Sequence, residues 1–488
     1  MKKEIKKALM NKYFICICTL GIILSILHCY QVLTAYNSYI IELEKYSGLS
    51  NLQYNPLAEI TSAFTMWIGV DDTNKIAKIF FFIFPLMTVM PYCWSYCSDM
   101  KSGYAEKSVK NIGKFNYHLS KYTAVFVSSG LTIAIPLLLD FLIILLFVPA
   151  IFPDSVYDIY YGIFSNNFMA DIFYGQPFVY VMVFLLLCFV FCGLFGCLGY
   201  SISTLIKSKI VAIAVPTVLM ILVEFVKNLI MKNDLIYNIE FSPLSFLCPA
   251  KSYTTNWCII ISEIVVLFLI TFCISVLRFK KLAEERIMIC LTSRGVRMKN
   301  KILVISISLL LVIVYISRVI YVNSNTLAPE VVRYKIGDEV PIEDDFFDQS
   351  SEKMNGYSIK VTDTDILTID EFESKYGEYE NEFHAEYIYL VTVIFKNDNN
   401  SLGENAGINL GQYILQDDSY INFIDRDAYS KINETNSIMF SLRENSEMEF
   451  IIPFDINSMY IDIEDLKLGM PTLVVSLYPH KKIIELSD

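Results

Sequence analysis

Seven stretches of this chain reach or approach about 20 apolar residues, the length at which a helix crosses a hydrocarbon core of about 30 Å. They lie near 13–33, 76–97, 122–149, 177–204, 210–230, 257–278 and 302–322. Few folds are open to such a chain. In lipid every backbone polar group must find its partner inside the protein, which leaves helices and closed barrels. Composition agrees with helices in a membrane: 54% of the 488 residues are hydrophobic and 18% are charged, against about 25% charged in soluble domains.

The opening MKKEIKKALMNK suits a secretory signal or an anchor. The apolar run after it is too long for a signal, and no small-x-small site precedes the polar sequence that follows. An uncleaved anchor is expected. Lysine and arginine placement sets the orientation. Residues 1–12 hold five, 98–121 five, 205–209 two and 278–301 eight. The alternate segments 34–75, 150–176 and 231–256 hold two, none and two. The N-terminus is therefore expected in the cytoplasm of a multi-pass cell-membrane protein, with residues after 322 outside.

The tail is a different polymer. Residues 323–488 carry 33 acids and 12 bases, whereas the remainder carries 18 acids and 27 bases. This split predicts a basic cytoplasmic face and an acidic extracytoplasmic domain. GYSIKVTD, EYIYLVTVIFKN, GQYILQD, NSIMFSL, EMEFIIPF and TLVVSLYP read as strands, rich in β-branched and aromatic residues. Thr368 to Gly377 reads as a helix, with a capping box at Thr368 and Glu371. Seven or eight strands in about 165 residues predict an all-β sandwich. Met298 opens a basic-then-apolar stretch like the start of an anchored protein, so 290–301 reads as a fusion joint. The ordinary alternative is a cytoplasmic loop before a seventh helix.

Two outer segments carry apolar patterns. NPLAEITSAFTMWIGVDD predicts a short interfacial helix. YDIYYGIF is aromatic enough to lie at the membrane surface.

All twelve cysteines precede residue 291, mostly within apolar runs where they act as small apolar groups. Cys93 and Cys97, and Cys188 and Cys192, lie one helical turn apart. They read as packing, because no histidine completes a metal set with them. Cys248 and Cys258 both fall outside, and a disulfide between them is left open. Calcium at EDDFFD or at Asn397–Glu404 is likewise open against plain solvated loops, since neither has EF-hand spacing.

The sequence has no HExxH and no GxxxxGK[ST], which removes support for a zinc peptidase and for a P-loop nucleotide site. No enzyme activity, cofactor or resident metal is expected, and no nucleic-acid partner. Three acids stand in apolar runs: Asp140, Glu224 and Glu263. A charge at the centre of a spanning helix costs about 2.5–3.5 kcal/mol on insertion scales, so such residues face protein or water. They are candidate intramembrane polar sites. Lys227 is one turn from Glu224 and can pair with it. Pro136, four residues before Asp140, predicts a local break with exposed carbonyls.

Between the second and third runs lies SYCSDMKSGYAEKSVKNIGKFNYHLSKY. Gly103 and Gly113 bracket YAEKSVKNI, long enough for two helical turns. From charge alone this is either a short helix pressing on a cytoplasmic partner or a basic loop on anionic headgroups.

With these features, residues 1–285 resemble the permease subunit of an ABC-2-type transporter. That family combines a basic amphipathic N-terminal helix, six spans, and a coupling helix between spans two and three. Its loop runs acid-x-x-x-Gly, then a short helix, then a lysine opening the third span. Asp99, Gly103 and Lys121 fit this pattern, and NPLAEITSAFTMWIGVDD resembles the first outer loop of Gram-positive members. The resemblance implies a separate cytoplasmic ABC ATPase subunit, which would bind ATP, and a homodimer or a sister permease. It implies coupling to that ATPase through Asp99, Gly103, Tyr104, Glu106, Val109, Gly113 and Lys121. The family ordinarily ends after span six. The expected organisation is a permease domain at 1–285, a linker at 286–301, a seventh span at 302–322 and the outer domain at 323–488. By strand pattern that outer domain resembles secreted immunoglobulin-like domains. Its acidity favours a cationic ligand, so export of, or immunity to, a cationic antimicrobial peptide is the expected function. The alternative is a non-transporting receptor or scaffold whose outer domain binds a peptide, envelope or protein partner.

Overall fold

The computed structural model of the chain describes residues 1–57, 62–71, 73–231, 240–248, 257–276, 299–324, 326–381, 384–401, 407–458, 461, 463–468 and 471–487. Most of the expected junction at 286–301 lies outside the described residues, as does part of the 397–404 loop.

A short helix, α1 (Lys2–Leu9), precedes a long one, α2 (Lys12–Ser50). Asn11 separates them by capping α2, its side chain accepting the Tyr13 N–H at 3.3 Å. On α1, Glu4 and Ala8 are buried one turn apart while Lys2, Lys3, Lys6 and Lys7 are exposed, so its single acid faces inward. The first apolar run was expected to stop at 33. The helix continues to Ser50 and ends at Asn51 in the left-handed region, φ 54°.

The rest of the helical part is α3 (Ala63–Met66), α4 (Lys75–Val89), α5 (Ser95–Lys101), α6 (Tyr104–Ile112), α7 (Lys114–Ile144), α8 (Asp158–Tyr161), α9 (Ala170–Gly175), α10 (Pro177–Ile206), α11 (Lys209–Met231), α12 (Pro243–Phe246), α13 (Trp257–Ser275) and α14 (Lys299–Asn323). Among the described residues, five helices are long and apolar enough to cross a membrane: Lys12–Ser50, Lys114–Ile144, Pro177–Ile206, Lys209–Ile230 and Trp257–Ser275. The run at 76–97 is not one helix. α4 stops after 15 residues, about 22 Å at 1.5 Å per residue, just before Pro91.

The loop 62–71 departs from the expected interfacial helix. Only Ala63–Met66 is helical, and Phe64, Trp67 and Ile68 are fully buried. Trp67 packs edge-on against Phe141 of α7 and Phe184 of α10, with ring centroids 5.5 and 5.4 Å away. The apolar side chains pointed to burial. What buries them is protein.

Pro136 does not break α7, which runs unbroken to Ile144. Ser25 of α2 donates to the Pro136 carbonyl at 2.9 Å. The two helices can approach so closely because α2 has Gly21 at the crossing. A Cβ there would stand 2.6 Å from Pro136 Cγ.

The tail is a β-rich domain. Its strands are β1 (Glu330–Lys335), β2 (Val340–Ile342), β3 (Tyr357–Thr368), β4 (Tyr387–Asn397), β5 (Ile408–Asn409), β6 (Ile414–Asp417), β7 (Tyr420–Phe423), β8 (Met439–Phe440), β9 (Ser446–Ile456), β10 (Thr472–Val474) and β11 (His480–Glu485), with helices α15 (Ile369–Tyr376), α16 (Arg426–Asn433) and α17 (Ile463–Lys467). One sheet is ordered β1-β11-β10-β6-β7, a second β2-β3-β4-β9, and a small pair β5-β8. Inward residues of both large sheets, such as Val391, Phe395, Leu415 and Ile484, belong to one apolar core. β1 pairs in parallel with β11, Glu330 opposite His480, so the first and last strands of the domain close it. The capping box of α15 is formed as the sequence indicated: Thr368 Oγ1 accepts the Glu371 N–H, and Glu371 accepts the Thr368 N–H.

Candidate functional site

The acid-x-x-x-Gly stretch and the lysine after it meet in one buried ionic cluster. Lys121 on α7 has no solvent exposure. Its ammonium lies 2.6 Å from Asp99 of α5 and 3.0 Å from Glu4 of α1. Lys7 also reaches Asp99, at 3.3 Å. Three tyrosines complete the cluster. Tyr117 donates to Asp99 at 2.8 Å, and Tyr92 and Tyr104 donate to Glu4 at 3.2 and 3.0 Å. A buried charge stripped of its partner is costly, so this cluster ties α1, α5 and the start of α6 to α7.

α6 spans the predicted YAEKSVKNI. Gly103 and Gly113 flank it at φ 69° and 79°, a region that other residues enter only at a cost. Ala105 faces inward, Val109 is half-buried, and Glu106, Lys107 and Lys110 are exposed. Tyr104 and Ile112 leave 41% and 47% of their surface uncovered. Of the seven candidate coupling residues, Asp99, Tyr104 and Lys121 are thus brought together. The two glycines shape the helix ends, and Glu106 and Val109 stand apart from the ionic cluster. Tyr104 serves two roles: its ring also carries the Lys7 ammonium 4.1 Å from its centroid. Sequence reasoning missed Glu4 and Lys7. The signal available was one acid among five lysines, placed on the apolar side of an amphipathic helix.

Asp140 is fully buried between α2 and α7. His28 Nδ1 lies 2.9 Å from Asp140 Oδ2, and Cys29 Sγ lies 3.3 Å from the same oxygen. Asp140 Oδ1 accepts the Ile68 N–H at 2.8 Å, from the inserted 62–71 loop. His28 Nε2 faces Asp71 at 3.3 Å. Asp71 lies outside the helices, where burial would raise its carboxyl. Its hydrogen bonds to His28, Thr73 and Asn74 outweigh that and hold it below the usual carboxylate range.

Glu224 and Lys227 are 3.2 Å apart on α11. Lys227 also reaches Glu240 at 3.0 Å and Ser245 at 2.6 Å, so its charge is matched inside the protein. Glu263 is half-buried on α13 and joins neither the Asp99 nor the Asp140 group.

The β-rich tail sits on loops of the helical part. Asp154, between α7 and α8, pairs with Lys481 of β11 and accepts from Gln416 of β6 at 2.7 Å. Asn55 donates to Tyr157 Oη at 2.7 Å and to the Phe347 carbonyl at 3.0 Å. Ser419 donates to Asp171 at 2.6 Å. α14 leans on the end of α7: Tyr315 and Arg318 donate to the Leu142 and Leu146 carbonyls, and Asn323 accepts the Ala150 N–H. A cavity of about 300 Å³ opens at this junction, lined by Asp154, Tyr174, Arg333, Asp418 and Lys481 among others.

Asp344 and Asp345 of EDDFFD are tied to side chains within the domain. Asp345 is held by Lys482 at 2.6 Å and by His480 at 2.8 Å, and Asp344 accepts from Asn355 at 3.0 Å. Cys248 is buried and Cys258 exposed.

Residues 331–482 match the model of a family described as a domain of unknown function (DUF5028). The chain is also 24% identical over 163 residues, 33% of its length, to the uncharacterized protein YybM of Bacillus subtilis (strain 168). It spans 61% of that relative's length. No solved structure matches.

Proposed function

We propose that the chain is the membrane-spanning subunit of an ABC exporter, driven by a separate cytoplasmic ATPase. In this reading α4 and α14 join the five long apolar helices as spans. The spans within residues 1–285 then number six, the N-terminus is cytoplasmic, and the outer domain faces the exterior. One observation supports it above the others. A short helix with an exposed face, α6, is set between two left-handed glycines and anchored through Asp99, Lys121 and Glu4 to the start of a spanning helix. A partner pressing on α6 would move α7, the helix that also carries Asp140. The transported ligand is proposed to be a cationic peptide, drawn by the acidity of the outer domain.

The test is co-purification with an ATPase subunit and measurement of substrate-stimulated hydrolysis. Gly103→Pro forces φ to about −65° where the chain needs 69°, and should abolish stimulation with the protein still in the membrane. Val109→Ala and Ile112→Ala should reduce it, whereas Lys107→Arg and Lys110→Arg should not. Full stimulation in the Val109 and Ile112 variants would sink the coupling assignment. The competing reading is a receptor or scaffold built on the outer domain. It is favoured by the family match, which falls wholly within the tail. It predicts that no ATPase co-purifies.

A further inference from the structure

We propose that His28, Cys29 and Asp140 form a site for a borderline divalent metal ion, of the zinc or cobalt class, between α2 and α7. It is independent of the transport reading. The three donor atoms lie within 4.8 Å of one another, and all three residues are buried. They are one nitrogen, one sulfur and one oxygen. That mixture suits zinc and its neighbours and disfavours magnesium and calcium, which take oxygen.

The spacing fits. Bonds of about 2.0–2.3 Å to a tetrahedral ion put ligand atoms about 3.3–3.6 Å apart. Nδ1 and Sγ now stand 2.9 and 3.3 Å from Asp140 Oδ2, and no two of the three atoms are more than 4.8 Å apart, so seating an ion opens the first two sides by a few tenths of an ångström and closes the third by about 1 Å at most. The supporting shell is already in place. Asp71 stands behind the other ring nitrogen, at 3.3 Å, the carboxylate–histidine–metal arrangement that orients a metal-bound imidazole. The Ile68 N–H fixes the second Asp140 oxygen. Asp71 keeps 12% of its side chain exposed and lies on the outer loop, which marks the side of entry.

The charges match as well. The ion takes Nδ1, Sγ and Oδ2. The thiol gives up its proton to water as sulfur binds, and the imidazole that binds through Nδ1 keeps its proton on Nε2, facing Asp71. The thiolate and the Asp140 carboxylate then balance the two charges of the ion, which limits the cost of burying it. Three protein ligands leave the fourth position for water or another donor.

The full-length chain in detergent, stripped with chelator and reloaded with cobalt alone, tests this. Expected are about one cobalt per chain and a thiolate-to-cobalt charge-transfer band that zinc displaces. Cys29→Ser should lose the band while eluting as the wild type. Cys16→Ser and Cys273→Ser, at exposed cysteines, should keep it. Asp71→Asn, outside the helices and so a check should the Cys29 variant misfold, should weaken cobalt binding about 10- to 100-fold. No cobalt uptake by the wild type, a band that survives Cys29→Ser, or unchanged affinity in Asp71→Asn would each overturn the site.

Discussion

Lys121 Nζ lies 2.6 Å from Asp99 Oδ2, and the lysine has no exposure to solvent. Glu4 provides a second carboxylate at 3.0 Å. The lysine therefore balances two acids, while each acid has other donors. Removing one partner of a buried pair costs about 3–5 kcal/mol. Lys121→Met should approach that loss, because it leaves two carboxylates facing each other. Asp99→Asn and Glu4→Gln should cost less, since Lys121 keeps the other acid. Glu106→Gln, at an exposed position, should cost almost nothing. Thermal unfolding in detergent measures the order; a Lys121→Met midpoint equal to wild type would mean the cluster holds nothing together.

The tail domain is docked partly by charge. Burial alone would raise the Asp154 carboxyl, but Lys481, Gln416 and the Val156 N–H hold it below the usual range. A depressed folded-state value adds stability above the unfolded value of about 3.9 and loses it as pH falls through the folded one. Docking should therefore survive from neutrality to about pH 4 and loosen only in stronger acid. Lys481→Met should loosen it at neutral pH. Spin labels at the exposed Ile159 and Asp418 report the change as a broadened distance distribution. A narrow distribution in Lys481→Met at neutral pH would show that this pair does not hold the domains.

What the sequence disclosed and what it hid have physical causes. YAEKSVKNI was bounded correctly because glycine marked both ends. The end of α2 was misplaced because polarity rises after residue 33 while helix-forming residues continue to Ser50. β1, β2, β5, β7 and β11 were missed: EVVRYK, VPI, IN, YINF and HKKIIE are short or lack a clear apolar alternation. β1 gains its place by pairing with β11 across the whole domain. Asp140 stood out as a charge in an apolar run, but its partner His28 lies on another helix, and no local pattern joins them. The docking of the tail domain was equally hidden, since Asp154 and Lys481 are ordinary surface residues until the two parts meet.

That docking also decides how topology is best tested. Ser419 is buried against Asp171, and Ser108 is half-buried, so both are poor sites for a membrane-impermeant thiol reagent. Lys107 and Glu447 are exposed. Lys107→Cys should label only from the cytoplasm and Glu447→Cys only from outside. Labelling of both from one side of intact cells would refute the proposed orientation.

The tail should fold without the helices. Its core is drawn from both of its large sheets, and a cut before Ala328 severs no strand. Residues 328–488 alone should melt cooperatively with β-type circular dichroism. Ending the chain at Pro479 should prevent this. It removes β11, which lies between β1 and β10 and bonds to both. It also removes Lys482, which sits 2.6 Å from the fully buried Asp345 side chain, and so leaves an acid buried without its cation. That alone costs about 3–5 kcal/mol, a large share of the about 5–15 kcal/mol that holds a typical domain folded. Lys482→Met in the otherwise complete tail separates the two causes. It keeps the strand and removes only the charge, so it should lower the melting temperature yet leave the transition cooperative. If the shortened tail melts like the complete one, β11 is an appendage, and the closing of the domain by its first and last strands is not what stabilises it.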